Sequence, residues 1–311
     1  MVGSEQIVPT QYSVAPISTM KMGGNSIPSF IANDQNVAWE TVDSFGKEWS
    51  QFSSFEDDEL KNIGDDYFHM LPSDLIDGSK IALDVGCGSG RWTKLIAPKM
   101  KWVEAVDPSS SVFVAKENCA KNSNVRVSQA SVDNLPFNSN TFDLVFSLGV
   151  LHHIPDTAAG ITKCVEMVKP GGFFLVYLYY NLDNRGFVYR SLFFGVNCVR
   201  FLVSSLPEWG KKIVSDFIAY SIYLPLAMFA KTVEALVGSS HAEKIPLNYY
   251  RKTRMHIMRN DARDRFGTPL ERRFSRSQIA KMLEDSGLIN IRFSDRQPFW
   301  VALAQKKPQK S

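Results

Sequence analysis

The run Leu83-Asp84-Val85-Gly86-Cys87-Gly88-Ser89-Gly90 constrains this chain more than any other segment. A short apolar strand, Ile81 to Val85, carries an acid and runs into three glycines spaced two apart. Glycine has no Cβ, so such a loop turns sharply and lets the backbone approach a ligand. The helix expected next, from Arg91 to about Met100, would point unpaired N–H groups at the same place. The following apolar strand, Trp102–Val106, ends at Asp107. An acid there, roughly 20 residues after the glycines, is where doubly wound nucleoside-binding folds hold a ribose. A carboxylate accepts two hydrogen bonds at once and so matches a cis-diol. The dinucleotide fingerprint wants glycine at the sixth position of its turn, which here is Arg91. The spacing disfavours a pyrophosphate and fits a nucleoside with a charged amino-acid tail.

Strand and helix patterns then alternate. Strands are expected near 80–85, 102–106, 124–128, 142–147 and 172–178, and helices near 91–99, 109–119 and 157–167. Such alternation implies a parallel sheet covered on both faces. Ligands of these sheets bind beyond the carboxyl ends of the strands. A last helix, 275–286, has Ser275 as its expected N-cap and Gly287 as its C-cap.

The ordered set Asp84-x-Gly86-x-Gly88-x-Gly90, Asp107-Pro108-Ser109, Asn134-Leu135-Pro136-Phe137, Phe142-Asp143-Leu144-Val145-Phe146-Ser147, Leu151-His152-His153-Ile154-Pro155-Asp156 and Val168-Lys169-Pro170-Gly171-Gly172 resembles the class I S-adenosylmethionine-dependent methyltransferases. It is similar above all to the small-molecule branch that holds the ubiquinone and menaquinone methyltransferases. The resemblance spans roughly residues 80–180, with a weaker return at 275–305. It implies an α/β fold with a Rossmann-like doubly wound sheet, mostly parallel. Ile289–Ser294 and Phe299–Ala304 would form the antiparallel closing pair. The expected parts are a flexible arm at 1–40, a helical lid at 41–75, the cofactor-binding core at 76–180, a helical insertion at 181–270 and the end of the sheet at 271–311.

The implied cofactor is S-adenosylmethionine. Gly86, Cys87, Gly88 and Gly90 would approach its methionine portion and ribose, and Asp84 would orient the loop or meet the ammonium through water. Asp107 would take the ribose diol, with Pro108 against the adenine. The family's acid for adenine N6 falls on Ser131 here, a departure that leaves Ser131 one hydrogen bond to offer and Val132 a backbone N–H. Ser147 and Leu148 close the fourth strand on the cofactor side. The Asn/Asp-Pro-Pro-aromatic tetrad of base N-methylation is absent from Ser147-Leu148-Gly149-Val150, which argues against nucleic acid. His152 or His153 could act as general base, since histidine titrates near neutrality.

Val42, Phe45, Trp49, Phe52 and Phe55 recur at helical spacing ahead of a second expected helix, Glu59–Met70. Trp49 is the expected pocket wall of the lid. The insertion would shape the acceptor site, with Tyr249, Tyr250, Arg254 and His256 as its most site-like cluster; Tyr250 and His256 are catalytic candidates and Tyr249 and Arg254 substrate-binding ones. Residues 251–276 hold nine Lys or Arg against three acids, suited to an anionic group or to a solvated, internally paired face. Two apolar stretches, Phe187–Leu206 and Phe217–Ala230, read as non-spanning: the first holds Arg190 and Arg200, and the second has about 14 residues and Pro225 against the roughly 20 a span needs.

Net charge is +3, too small to argue for nucleic acid. Four scattered cysteines in no metal-ligand spacing, and a polar N-terminus without a signal-peptide core, suggest the cytoplasm. The reading is O- or C-methylation of a small or lipid-linked acceptor, with sugar-linked intermediates next. Peripheral membrane contact through the insertion is a further expectation, and no metal is expected. The competing readings are a non-catalytic S-adenosylmethionine-binding or scaffold protein, since binding and turnover share one loop, and a nucleotide-cofactor oxidoreductase, disfavoured by Arg91.

Overall fold

The computed structural model describes residues 8–32, 34–43, 46, 57–181, 195–196, 199–268, 270–296, 298 and 300–309. Met1–Asp183 with Leu270–Ser311 forms one compact unit, and Asn184–Pro269 forms a second. Trp49, Phe45, Phe52, Phe55 and residues 187–194 and 197–198 lie outside the described residues.

The first unit is built on one nine-stranded sheet. Its strands are β1 (Ser18–Met22), β2 (Asn25–Ser29), β3 (Ile81–Val85), β4 (Trp102–Asp107), β5 (Val125–Gln129), β6 (Phe142–Leu148), β7 (Val168–Tyr177), β8 (Leu288–Phe293) and β9 (Val301–Lys306), in the order β1-β2-β5-β4-β3-β6-β7-β9-β8. Strands β5, β4, β3, β6 and β7 pair in parallel. Strand β9 runs antiparallel to β7, and β8 antiparallel to β9. The strand order reverses at β3 and β6, which opens a crevice at their carboxyl ends.

Alternation along the strands makes two cores. Leu83, Val85, Val145 and Phe174 pack on one face with Ile161 and Cys164 of a helix at Thr157–Met167 and with Ile279 and Leu283 of a helix at Arg276–Asp285. Ala82, Leu144, Phe146 and Leu175 pack on the other face with Phe68, Trp92 and Ile96. Helices flanking this sheet among the described residues include α1 (Asp57–Phe68), α2 (Arg91–Ile96), α3 (Val112–Asn118) and α4 (Thr157–Met167). Helix α2 stops at Ile96, short of the expected Met100, and tightens into a 3-10 turn over Ala97–Lys99. Pro98 has no N–H to continue the α ladder. Ser275 caps the Arg276–Asp285 helix as expected and forms a full capping box with Gln278.

The arm expected to be flexible over 1–40 is docked where it is described. β1 and β2 form a hairpin whose end joins β5 through Ser29 and Gln129. Ile27 and Phe30 are buried in the core. A buried polar knot fixes the segment before the hairpin: Glu104 accepts from Trp102 Nε1 at 2.6 Å and from Arg126 Nε at 3.0 Å, and the Thr10 hydroxyl also donates to it. The Arg126 guanidinium lies 3.9 Å over the Tyr12 ring. Low apolar content misled because these contacts are specific pairings and not a hydrophobic run.

The second unit contains α5 (Glu208–Ile218), a π turn at Ala219–Tyr223, α6 (Leu224–Val237) and α7 (Met255–Gly267). The first three join into one helix, Trp209–Val237, of 29 residues. The sequence reading bounded the apolar stretch at Phe217–Ala230, about 14 residues with Pro225 inside it. The π turn immediately before Pro225 shifts the backbone pairing, so the missing N–H does not break the helix. Helix α5 packs against α7, and Arg259 grips Asp216 with two hydrogen bonds of 2.8 and 2.7 Å.

Candidate functional site

The turn after β3 is held by its neighbour strand. Gly86 N and Cys87 N both donate to Val106 O, at 2.8 and 2.9 Å, and Gly90 N closes on Cys87 O at 2.8 Å. Gly86, Gly88 and Gly90 all have positive φ. At Gly86 a Cβ would come 2.4 Å from Val150 Cγ1, and at Gly90 it would come 2.9 Å from the Ala115 Cα. Both glycines are therefore required by conformation and by space.

Asp107, at the end of β4, ties two loops together. Its Oδ2 accepts from Gly88 N at 2.9 Å, and its Oδ1 accepts from the N and Oγ of Ser109 at 2.9 and 2.6 Å. Oδ1 also accepts from Ser111 Oγ at 3.3 Å. A carboxylate has about four lone-pair sites, so the capacity left for a ligand hydroxyl at the crevice lies on Oδ2, which accepts only from Gly88 N. Asp84 is buried, with Oδ2 accepting from Thr93 Oγ1 at 2.6 Å. Its Oδ1 is equally buried and has no hydrogen-bond partner. Burial, reinforced by the nearby Asp107 charge and opposed by the Thr93 hydrogen bond, pushes its carboxyl up to about 7. An orphaned buried carboxylate oxygen beneath a left-handed glycine loop, with a second carboxylate at the next strand end, fits a nucleoside that carries an ammonium group.

Several expected cofactor residues also hold the frame. The Cys87 side chain is buried beside Ile27, Ala105 and Phe113, and burial raises its thiol well above the usual range. Ser147 donates from Oγ to Val85 O at 2.8 Å and is fully buried, so it pins β6 to β3. Leu148 and Val132 pack into the two cores. Ser131 accepts from Asp133 N and caps a 3-10 turn. Pro108 is half-buried and its carbonyl accepts from Gln129 Nε2 at 2.8 Å. Beside that turn lies an open polar groove of about 530 Å³ lined by Asp34, Asn36, Asp133, Asn134 and Asp156 among others. Asn36 bonds to Asp133 and Asp156, which ties the N-terminal segment to this rim.

A second cluster stands at the ends of β6 and β7, next to the glycine loop through Val150. His152 is fully buried and stacks on Tyr179 with ring centroids 3.9 Å apart at 28°. Neither ring nitrogen of His152 has a hydrogen-bond partner. Burial first, then the charges of His153 and Arg273, holds its pKa well below the usual histidine value. His153 Nδ1 lies 2.8 Å from Leu270 O. The backbone of 270–274 runs across this end: Arg272 N donates to His152 O and Phe274 N to Tyr179 O, each at 2.9 Å. Arg273 pairs with the buried Glu271 at 2.7 Å and lies 5.3 Å from the Tyr179 ring centroid. Burial thus disfavours the protonated form of His152, one of the two histidines expected as a general base. Tyr177, Tyr179, Glu271 and Arg273 escaped the sequence reading. Their one local signal is the period-two Tyr177/Tyr179 pair that ends an apolar strand.

In the second unit Tyr250 is buried, donates its hydroxyl to Asp261 at 2.8 Å and stacks near Tyr223 at 5.0 Å. Burial and the Asp261 charge raise its pKa well above the usual phenol. Its hydroxyl is thus engaged within this unit. Tyr249 packs edge-on against Tyr250, Arg254 is exposed at the N-cap of α7, and His256 is half-buried on its first turn. Among the nine basic residues of this stretch, Arg251 pairs with Glu234 at 3.0 Å, Arg259 with Asp216 and Arg273 with Glu271, each within its own unit.

Residues 83–176 match a family model described as a methyltransferase domain. A ubiquinone biosynthesis O-methyltransferase of Marinobacter nauticus is 27% identical over 194 residues, covering 58% of this chain and 78% of the relative. One of the same description from Rhizobium leguminosarum bv. trifolii is 32% identical over 122 residues, covering 39% of this chain and 47% of the relative. The match thus spans only about half the length of the second relative. Among solved structures, an S-adenosylmethionine-dependent methyltransferase of Thermotoga maritima aligns with a TM-score of 0.44 at 14% identity, over 86% of this chain and all (100%) of that one.

Proposed function

We propose, for a chain whose core belongs to the class I S-adenosylmethionine-dependent methyltransferases of small-molecule type, that the methyl group goes to a hydroxyl oxygen of an apolar, lipid-linked acceptor. The observation that carries this reading is the junction of Gly86–Gly90 with Asp84 and Asp107 beside an enclosed aromatic–imidazole cluster. The relatives described as O-methyltransferases of ubiquinone biosynthesis support oxygen as the acceptor atom.

S-adenosylmethionine, when bound, supplies an electrophilic methyl on a sulfonium centre. The chain's own work is then positional. Asp107 holds the ribose diol while keeping Gly88 and Ser109 in place. Asp84 supplies a buried anion for the ammonium, and the positive-φ glycines leave the space. His152, held neutral, accepts a hydrogen bond from the acceptor hydroxyl and aligns an oxygen lone pair. Its depressed pKa makes it an orienting acceptor and a poor place to keep the proton, which passes on to solvent. Tyr177 and Tyr179 would flank an aromatic ring. With this goes a cytoplasmic location with a membrane-bound fraction, which fractionation of source cells tests.

Turnover with labelled S-adenosylmethionine, offered a panel of hydroxyaromatic, amine and carboxylate acceptors, tests the proposal. Label transfer confined to hydroxyl acceptors supports it; transfer to amines alone would overturn the oxygen assignment.

A further inference from the structure

The long helix of the second unit leaves one side in solvent, and that side is apolar. Trp209, Ile213, Phe217 and Tyr220 recur every three or four residues and are 71, 61, 69 and 53% exposed. Past the π turn, Met228 and Phe229 continue the exposed apolar surface. The other side is buried at Ser215, Ile218, Ala219, Tyr223, Ala227 and Ala230. Single exposed apolar residues are ordinary, but a run of this length along one helix marks an interaction surface.

Charge says which partner fits. Residues 184–269 hold thirteen Lys or Arg against six Asp or Glu, while the rest of the chain holds 22 against 26. Lys212 and Lys231 are exposed on the same helix. In a bilayer interface, aromatic and aliphatic side chains enter the acyl boundary while lysines stay with anionic headgroups. The geometry points to Trp209–Val237 as an in-plane anchor on an anionic lipid surface.

Two other occupants fit less well. The helix is long and apolar enough to cross a membrane by length and composition. Crossing would draw the Asp216–Arg259 pair and the charged α7 behind it into hydrocarbon, at high cost. A second copy would set one strongly cationic unit against another. The anchor stands apart from donor binding and extends the proposed function by bringing the enzyme to where a lipid-linked acceptor resides.

The test is sedimentation of the full-length protein with vesicles of phosphatidylcholine, alone or mixed with phosphatidylglycerol. The expected result is binding to the mixed vesicles, weaker by at least about tenfold on the neutral ones. The Phe217→Ser/Phe229→Ser variant should lose at least about tenfold in partitioning, while S-adenosylhomocysteine affinity and circular dichroism stay those of wild type. Three results would overturn the anchor: no vesicle binding, equal binding by the variant, or a membrane-bound form that resists alkaline carbonate and so spans the bilayer. A dimer that the double variant turns into a monomer, without vesicle binding, would assign the face to a second copy instead. Vesicle binding without any affinity for S-adenosylhomocysteine would leave the anchor standing and remove the methyl-transfer reading alone.

Discussion

His152 lies face to face with Tyr179, ring centroids 3.9 Å apart, and both of its ring nitrogens are buried without a hydrogen-bond partner. An imidazole so placed pays for its polarity unless something at the site uses it.

The pH behaviour of this residue follows from its depressed pKa. The unfolded chain takes up a proton near the ordinary pKa of about 6.5, whereas the folded protein resists protonation until lower pH. Stability is therefore lost as pH falls below the unfolded value. Thermal unfolding of wild type and His152→Phe across pH 5 to 8 (roughly the histidine range) should show a flatter acid limb in the variant. His152→Phe should lower kcat by at least about tenfold and leave S-adenosylhomocysteine affinity unchanged.

Asp84 has the opposite sign. Its folded carboxyl sits at about 7, above the ordinary carboxylate, so the native state holds a proton that the unfolded chain has released. The stability this gives is present at low pH and is lost as pH rises through about 7. A cationic ammonium needs the ionised form, so S-adenosylhomocysteine affinity should rise with pH through this range and protons should be released on binding. Calorimetry in buffers of different ionisation enthalpy reads that release. Asp84→Asn should abolish the release and be relatively more stable than wild type at alkaline pH.

The glycine loop predicts a graded pair. At Gly86, φ is +81° and an added Cβ would overlap Val150, while at Gly78 φ is +86° and the space is open. Gly78→Ala should cost about 1–2 kcal/mol, the left-handed backbone penalty alone. Gly86→Ala should cost more and also weaken donor binding, as denaturant unfolding and calorimetry would show. Equal costs at the two positions would mean that Val150 simply moves aside.

Arg126 should matter out of proportion to its place near the sheet edge. It pairs with Glu104, which is fully buried. Arg126→Ala leaves that carboxylate unpaired and should cost about 3–5 kcal/mol. Pairing Arg126→Met with Glu104→Leu should recover much of the loss in urea denaturation.

What was readable in the sequence was local. The glycine spacing, Asp107 at the next strand end, the Ser275 cap and the antiparallel return of β8 and β9 each announce themselves within a few residues. What was not readable depended on distant partners. The hairpin Ser18–Ser29 has little apolar content and is fixed by pairing with β5, 100 positions from Ser29 to Gln129. The enclosure of His152 comes from residues 270–274, on the far side of the second unit in sequence. Ser147 and Cys87 occupy motif positions, yet strand-to-strand bonding and core packing decide where their side chains point. Pro225 counted against a long helix because the π turn that accommodates it has no sequence signature.

The Asp107 carboxylate is where the glycine loop, the β4 end and the implied ribose converge, so its removal tests the donor site most directly. Titration calorimetry of wild type should show S-adenosylhomocysteine binding and no NAD binding. Asp107→Ala should bind roughly ten to a hundred times more weakly, the loss of charged hydrogen bonds worth about 1.5–3 kcal/mol, with the fold retained by circular dichroism. Unchanged S-adenosylhomocysteine affinity in a folded Asp107→Ala protein, or NAD binding by wild type, would contradict the assignment.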